Sequence, residues 1–213
     1  MASPVDLTDW NTPPTGLQGR IGRTGLPGNK ENRMHRETAT YRSPYEAYPF
    51  LSDAPDDLRC DFELATDRMA SEIGLLRAGV RDDALRAELL RMCELVYHMN
   101  PTLRTRFTVT AEEIGWVRER VEALRLETAS RCERFVLTQG SESGCRAHVL
   151  RVAGKELVRL LYRHMAGGRT VPEALVDLAN LLSGYFFHLA LKLNEIDGVD
   201  EVPYTSRNYA SGL

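Results

Sequence analysis

The pattern of apolar and polar positions changes at about residue 57. Before that point, prolines and glycines recur so often that they leave no room for a long helix. These breakers are Pro13, Pro14, Gly16, Gly19, Gly22, Gly25, Pro27, Gly28, Pro44, Pro49 and Pro55. Beyond it, apolar residues recur at helical spacing, and no segment alternates clearly enough to indicate a strand. The pattern therefore predicts an irregular N-terminal arm over residues 1–58, followed by an all-α region.

Five helices are predicted in that region. They run from about residue 57 to Gly79, from about Asp82 to Met99, from Thr110 to about Cys132, from about Cys145 to His164, and from about Pro172 to Asn194. The third begins with a capping-box pattern, Thr110 followed by Glu113. The fifth is unusually apolar over residues 181–193, which suits a central or interface helix. We expect a five-helix up-down bundle over residues 59–196 and a C-terminal tail over residues 197–213.

Composition narrows the function classes without choosing one. The chain has 213 residues, of which 43% are hydrophobic and 27% charged, as is ordinary for a single soluble domain. A net charge of −3 gives no sign of a general nucleic-acid partner. The sequence shows neither an apolar run long enough to suggest a membrane span nor the pattern of a secretory signal. The prediction is a cytoplasmic protein whose four cysteines, with no C-x-x-C pair, are free thiols.

Four short segments carry the candidate chemistry. They are Arg23-Thr24-Gly25 with Gly28, the stretch Thr66–Gly74, the stretch Phe135–Arg151, and Asn180–Ser183. Their order and spacing resemble the PduO-type ATP:cob(I)alamin adenosyltransferases, helical-bundle enzymes that transfer the adenosyl group of ATP to cobalt. The resemblance runs from about Ile21 to Asn194, with an insertion of about 28 residues after Asn29. It implies a homotrimer whose sites lie between subunits and bind ATP, Mg²⁺ and a corrinoid.

The first segment resembles a loop that wraps the triphosphate of ATP, I-x-T-R-T-G-D-x-G in the family. Glycines allow several backbone N–H groups to point into one concavity, and an arginine adds bidentate contacts to phosphate oxygens. The resemblance assigns ATP binding to Arg23, Thr24, Gly25, Gly28, Lys155 and Asn180, and we expect Lys30 to add charge beside the same loop. Among these, Lys155 stands where the family has an arginine, and a lysine contacts phosphate as a point charge.

Three further residues receive catalytic roles from the resemblance. Asp67 and Arg151 match an aspartate and an arginine that pair across a subunit interface beside ATP. Phe135 matches the phenylalanine that lies under the corrin ring and displaces its lower axial base. Without the resemblance, Asp67 and Arg151 are as well explained as two solvated helix charges. Phe135 is then as well explained as a core phenylalanine at the start of a helix.

Several positions depart from the family pattern. The residues that replace charged or polar family residues are Leu26, Arg68, Ala70, Val158, Leu181 and Gly184. The leading prediction is a transferase that forms adenosylcobalamin and triphosphate from cob(I)alamin and ATP. One alternative is a corrinoid or nucleotide sensor or carrier without catalysis. Another is an enzyme of the same fold whose pocket is reshaped for a different substrate by the insertion, which carries four aromatic residues.

A carboxylate-bridged metal site is a competing interpretation for a helical bundle. Glu63 with Asp67, and Glu94 with His98, lie four residues apart, and His148 and His188 lie on the last two helices. Bundle metal sites use Glu-x-x-His pairs, and the sequence contains none. We therefore predict no protein-held metal and expect His98 and His188 to be bundle residues or to line a ligand pocket.

Overall fold

Five α-helices make up most of the computed structural model, which describes residues 41–207. They are α1 (Arg59–Gly79), α2 (Asp83–Met99), α3 (Ala111–Glu127), α4 (Glu142–Ala166) and α5 (Glu173–Ile196). Two 3₁₀ turns, Asn100–Leu103 and Ala129–Arg131, follow α2 and α3. Over this range the extended pairing is limited to one isolated bridge between Val136 and Pro203. The predicted all-α class and the number of helices are confirmed.

The helices pack side by side in the spatial order α2, α1, α4, α5, α3. The core consists of apolar side chains from every helix, including the fully buried Phe62, Met69, Ile73, Tyr185 and Phe186. The most extensive packing is between α4 and α5, where a Cβ on Gly154 would lie 3.0 Å from the backbone nitrogen of Ser183. The helix order places α1, which carries Asp67, beside α4, which carries Arg151 and Lys155.

Local hydrogen bonds explain where the helices begin and end. The Thr110 capping box is confirmed, because Thr110 Oγ1 accepts from the backbone N–H of Glu113 and the Glu113 carboxylate accepts from that of Thr110. The prediction that α3 continues to Cys132 is wrong, since it ends at Glu127 and a 3₁₀ turn follows. The predicted start of α4 at Cys145 is also wrong, because Ser141 caps the helix three residues earlier through the Gly144 N–H.

Helix α5 is the most apolar element. Its length and a mean hydropathy of 1.4 over 18 residues would suffice to cross a bilayer, although the sequence analysis found no such run. In the structure 56% of that window is buried against other parts of the chain. Core helices of globular proteins pass the same test of length and composition, so the burial indicates a central helix of the bundle.

Candidate functional site

A groove between α1 and α4 contains Arg151, the α4 residue that the resemblance assigns to a subunit interface. Its cavity, about 350 Å³, is lined by Arg68, Thr138, Cys145, His148, Val149, Arg151, Val152, Ala153 and Glu156. Residues 145, 148, 149 and 152 recur at helical spacing, so one face of α4 forms most of the lining. Arg68 is contributed by α1, and Thr138 by the connector that precedes α4. The groove thus brings the second and third sequence segments together.

Two polar side chains in this groove have buried nitrogens without hydrogen-bond partners among residues 41–207. They are the half-buried Arg151, at its Nε, and the buried His148, at both ring nitrogens. His148 is only 3% exposed, and burial together with the nearby Arg151 charge lowers its pKa to about 4. The imidazole is therefore neutral near pH 7. Buried polar groups are nearly always paired in folded proteins, so this groove offers donors and acceptors to another molecule. Arg151 is not simply a solvated helix charge.

Phe135 lies on the connector before α4 with 85% of its surface exposed. The alternative of a core phenylalanine is therefore wrong. Its backbone is nevertheless fixed, because Phe135 O accepts from Tyr204 N at 2.7 Å and Leu137 N donates to Val202 O at 2.9 Å. The C-terminal segment that supplies these partners is itself held by an ion pair of 2.8 Å between Arg131 and Glu201. An exposed aromatic ring on a restrained backbone is suited to ligand contact.

The end of the connector is fixed by the buried amide of Asn194. Its Oδ1 accepts from Ser141 N at 2.9 Å, and its Nδ2 donates to Gln139 O at 3.3 Å. Gly140 adopts a φ of +148°, and a Cβ at this position would collide with the Asn194 amide. Glycine is therefore required at this close approach. Asn194 thereby joins the end of α5 to the start of α4.

Asp67 lies in a second cavity, of about 320 Å³. The residues that line it are Ala47, Tyr48, Glu63, Leu64, Asp67, Tyr97 and Asn100. Asp67 is exposed, and Tyr97 Oη donates to its Oδ1 at 3.1 Å. Asp67 and Arg151 line different cavities, and neither takes part in an ion pair within the described range. One subunit therefore does not bring them together, and their pairing across an interface stays a prediction.

The remaining predicted ATP-binding residues are distributed over three places. Lys155 is exposed one turn beyond Arg151 and lines a groove of about 580 Å³ with Arg159 and Arg163. Asn180 is exposed on α5, and its Nδ2 donates to Val176 O at 2.9 Å. Arg23, Thr24, Gly25, Gly28 and Lys30 lie outside the described residues, as does Leu26, so their roles stay predictions.

The departures from the family pattern have different structural consequences. Arg68 forms an ion pair of 2.9 Å with Glu72 and adds a second guanidinium to the groove of Arg151. Val158 and Leu181 are half-buried against the hydrophobic core. A Cβ on Gly184 would be in ordinary contact with Val121, at 3.6 Å. Two of the lost charged positions have thus become part of the packing between helices.

The competing metal interpretation finds no support in the described part of the chain. No group of three or more histidine, cysteine or acidic side chains there could hold a metal ion. Glu63 is instead buried in an ion pair of 2.7 Å with Arg104, and His148 and His188 do not join a cluster of acids. The four cysteines are free thiols, as predicted.

Three residues of the site were missed in the sequence. His148 was considered only as a metal ligand, although it lies one turn before Arg151 on the same face of α4. Tyr97 and Arg104 approach α1 from distant positions in the sequence, so no local pattern could reveal them. Arg104 reaches both Glu63 and Asp53.

The groove contains two arginine side chains, and the connector before α4 exposes an aromatic ring. These features indicate an all-α protein that binds a ligand. The chain belongs to the cobalamin adenosyltransferase family, whose sequence profile matches residues 54–193. By that membership it is a transferase. A corrinoid adenosyltransferase from Bacillus subtilis (strain 168) is 27% identical over 191 residues, covering 87% of this chain and 89% of the relative.

Solved structures share the fold. An arginine-to-lysine variant of a PduO-type ATP:corrinoid adenosyltransferase from Lactobacillus reuteri, complexed with ATP, superposes with a TM-score of 0.61 at 20% identity, covering 70% of this chain and 88% of that one. A phenylalanine-to-histidine variant complexed with cobalamin and ATP gives 0.64 at 17% identity, covering 76% and 97%. A phenylalanine-to-alanine variant with the same ligands gives 0.61 at 18% identity, covering 70% and 87%.

Proposed function

We propose that this chain is an ATP:corrinoid adenosyltransferase that works at the interface between subunits of a homotrimer. The Co(I) centre of a reduced corrinoid attacks the 5′ carbon of ATP. A cobalt–carbon bond forms, the bond from that carbon to the triphosphate oxygen breaks, and triphosphate leaves with the electron pair. The observation that carries the proposal is the α4 groove, where Arg151 has an unpartnered buried nitrogen, together with the connector before α4, on which Phe135 is exposed and its backbone is fixed.

This reaction needs no general base from the protein. Cobalt is the nucleophile and triphosphate the leaving group, so positioning and neutralisation of charge supply the catalysis. Arg151 and Lys155 on α4 contribute positive charge, as do Arg23 and Lys30 of the arm. Thr24, Gly25 and Gly28 of the arm also hold the phosphates. Asn180 hydrogen-bonds the nucleotide, and Asp67 orders the interface by pairing with Arg151 of a neighbouring subunit. Phe135 packs against the corrin ring.

Mg²⁺ enters this scheme with its substrate. Because no cluster of metal-ligating side chains exists in the range 41–207, the residues present there do not form a cage for the ion. Mg²⁺ is commonly bound through the phosphate oxygens of a nucleotide with few protein ligands. We therefore assign it to the triphosphate of ATP.

Lys155 is compatible with binding of ATP. In the Lactobacillus reuteri protein, the substituted phenylalanine and arginine lie 20 positions apart, as do Phe135 and Lys155 in this chain. The variant with lysine in place of that arginine is complexed with ATP. This supports Lys155 as a phosphate ligand even though it lacks the bidentate fork of an arginine.

The test is an anaerobic assay of cob(I)alamin absorbance with purified protein and Mg·ATP. We expect the absorbance to decay only when ATP is present. The variants Arg151→Ala and Asp67→Asn should slow the decay by about 10²-fold or more, since groups that stabilise developing charge have effects of that size. Arg118→Ala, at an exposed position of α3, is the matched control and should retain the wild-type rate.

A corrinoid-binding protein without catalysis is the second candidate. The observation that favours it is the burial of Val158 and Leu181 in the helix packing, where charged family residues are missing. Calorimetry with cobalamin and with ATP separates the two functions. Binding of either ligand without ATP-dependent decay would replace the proposed enzyme with a sensor or carrier. Absence of both binding and decay would leave a bundle adapted to another substrate.

A further inference from the structure

The segment Ser43–Asp57 belongs to the insertion after Asn29 and is docked on the bundle. It contains turns but no helix, yet its side chains are held at several points. Phe50 packs under the guanidinium of Arg104, whose Cζ lies 3.6 Å from the ring centroid. Asp53 accepts from Arg104 Nη2 at 2.6 Å. Residues 43–57 therefore have a fixed position before the start of α1.

Arg104 fixes the segment because its other hydrogen bonds go to the bundle. Its Nε donates to both carboxylate oxygens of Glu63 on α1, at 2.7 and 2.9 Å. The side chain of Glu63 is 5% exposed and that of Arg104 is 12% exposed, so this pair is largely protected from water. Charge-assisted bonds of this kind are among the stronger ones in proteins. One arginine thus joins the insertion, the turn after α2, and α1.

Tyr48 is carried by this segment to the edge of the Asp67 cavity. Its ring meets Phe50 edge to face, with centroids 5.3 Å apart, so the docking of Phe50 also places Tyr48. Burial and the Glu63 carboxylate raise the pKa of Tyr48 to about 12, and the phenol therefore remains neutral. Ala47 and Tyr48 form the insertion side of the cavity, and Tyr97 of α2 lies along it as well.

The chemistry of this cavity suits a planar cation. Two phenol rings and the carboxylate of Asp67 border it, and its other acid, Glu63, is already paired with Arg104. Guanidinium groups stack on aromatic faces and bind carboxylates, and arginine is the side chain that combines both contacts. Tyr97 Oη holds Asp67 Oδ1 at 3.1 Å and leaves Oδ2 available. A ligand guanidinium would find one acid and two aromatic walls.

The matching cation on this chain is Arg151. Its Nε has no partner among residues 41–207, and Arg151 lines a different cavity from Asp67 and forms no ion pair with it in one subunit. Val149 and Val152 beside it are 50% and 42% exposed, and Leu64 in the Asp67 cavity is 48% exposed. Both surfaces therefore have exposed apolar residues that association of two copies would bury.

We propose that residues 43–57 of the insertion form one wall of an arginine receptor, in which Tyr48 and Tyr97 enclose Arg151 of a second copy of this chain against Asp67. This inference rests on the interface pairing in the proposed function, and it adds two aromatic residues and the clamp residue Arg104 to it. Tyr48, Tyr97 and Arg104 are positioning residues, since they act on the reaction through Asp67 and Arg151.

Self-association of the full-length protein tests this wall by a readout that does not depend on turnover. In sedimentation experiments, Tyr48→Ala should raise the dissociation constant of the assembly about tenfold, as expected from loss of one stacked cation. Tyr45→Ala is the matched control, because Tyr45 lies in the same segment but is 90% exposed. Tyr97→Phe should weaken association less, since it keeps the ring and removes only the hydroxyl. Circular dichroism confirms that each variant is folded.

A double-mutant cycle assigns the effect to the proposed partner. In an Arg151→Ala background, Tyr48→Ala should have little further effect on the dissociation constant, because the stacked cation is already absent. Additive effects, or equal behaviour of Tyr48→Ala and Tyr45→Ala, would overturn the receptor even if the enzyme is active. If the variants show the expected coupling but the wild-type protein has no turnover, the arginine receptor stands and the proposed reaction is refuted.

Discussion

At the scale of single residues, His148 is the most unusual group in the site. It is buried on α4 one turn before Arg151, and its ring lies 6.4 Å from that of Phe187. An imidazole in this setting is held neutral by burial and by the adjacent positive charge. It can then donate one hydrogen bond and accept another without adding charge to a groove that already holds two arginines.

The lowered pKa of His148 predicts a loss of stability in mild acid. Because the folded pKa is about 4, against 6.5 for an ordinary histidine, the unfolded chain binds a proton more readily between these values. Stability is full above pH 6.5 and decreases as the pH falls toward 4. Between pH 7 and pH 5, His148 should account for about 1–2 kcal/mol of the decrease in unfolding free energy.

Urea unfolding of His148→Gln at both pH values, at one protein concentration, measures this contribution. The variant should lose less stability on acidification than the wild type. The pKa values of His164 and His188 are also lowered by burial, so the difference between wild type and variant is the relevant quantity. His98→Gln, at an exposed position, is the control. An equal decrease in the wild type and His148→Gln would contradict the assignment.

At the scale of elements, the contact between α4 and α5 depends on Gly154. A Cβ there would lie 3.0 Å from Ser183 N and 3.1 Å from its Cα, and these backbone atoms cannot move aside cheaply. Ser183 Oγ also donates to the carbonyl of Arg151 at 3.1 Å. The register of α5 on α4 is thus set directly beside Arg151.

Replacing two glycines by alanine, one at a time, separates the effect of this packing on stability from the effect of helix propensity. Gly74 lies inside α1 with nothing within 4 Å of its position for a Cβ, so Gly74→Ala should stabilise the protein by up to about 1 kcal/mol. Gly154→Ala gains the same propensity but overpacks the contact with α5, and we expect a net loss of about 1–2 kcal/mol. Urea unfolding of both variants gives the comparison. Stabilisation by both substitutions would show that α5 can move aside.

Local chemistry determined which helix boundaries could be predicted from the sequence. The Thr110 capping box and the stop at Met99 are encoded within a few residues and were predicted correctly. The end of α3 was not, because Thr128 Oγ1 forms hydrogen bonds with Leu124 O and with His188, 60 residues away. Ser141 is an ordinary N-cap residue, but the residue three positions later is Gly144 and not an acid, so the sequence shows no capping-box pattern there.

The candidate site was predictable where it follows a motif and hidden where it depends on tertiary contacts. Arg151 and Phe135 were identified by the spacing of a motif; the structure places Arg151 in the groove and Phe135 exposed on the connector that leads to it. The pairing of the C-terminal segment with the Phe135 connector rests on one isolated bridge. Two short segments so far apart in sequence carry no periodic signal that could reveal it. The docking of the insertion likewise depends on Arg104, which contacts Asp53 51 residues away.

At the scale of the whole molecule, the ring of helices is closed by a polar seam. The closest helix packing runs from α2 through α1, α4 and α5 to α3, and does not include α2 with α3. Those two are joined by an ion pair of 2.9 Å between Arg120 and Glu88. They are also joined by Arg91 over the ring of Trp116 at 3.9 Å. The fully buried Tyr185 of α5 donates to Glu88 at 2.8 Å, which ties the seam to the core.

This seam should govern stability without governing the site, since the candidate residues lie elsewhere. Glu88→Ala strands the buried Tyr185 hydroxyl and one guanidinium, so we expect a loss of about 2–3 kcal/mol in unfolding free energy. Tyr185→Phe should cost less, because Glu88 keeps Arg120. The double variant should lose less than the sum of the single losses, by roughly 1 kcal/mol, because the hydroxyl is no longer stranded.

Urea unfolding measures the stability of all three variants, and the anaerobic assay should find their rates unchanged at urea concentrations below the unfolding transition. Additive losses would mean that Tyr185 and Glu88 act independently, while an altered rate would show that the seam reaches the site through α5.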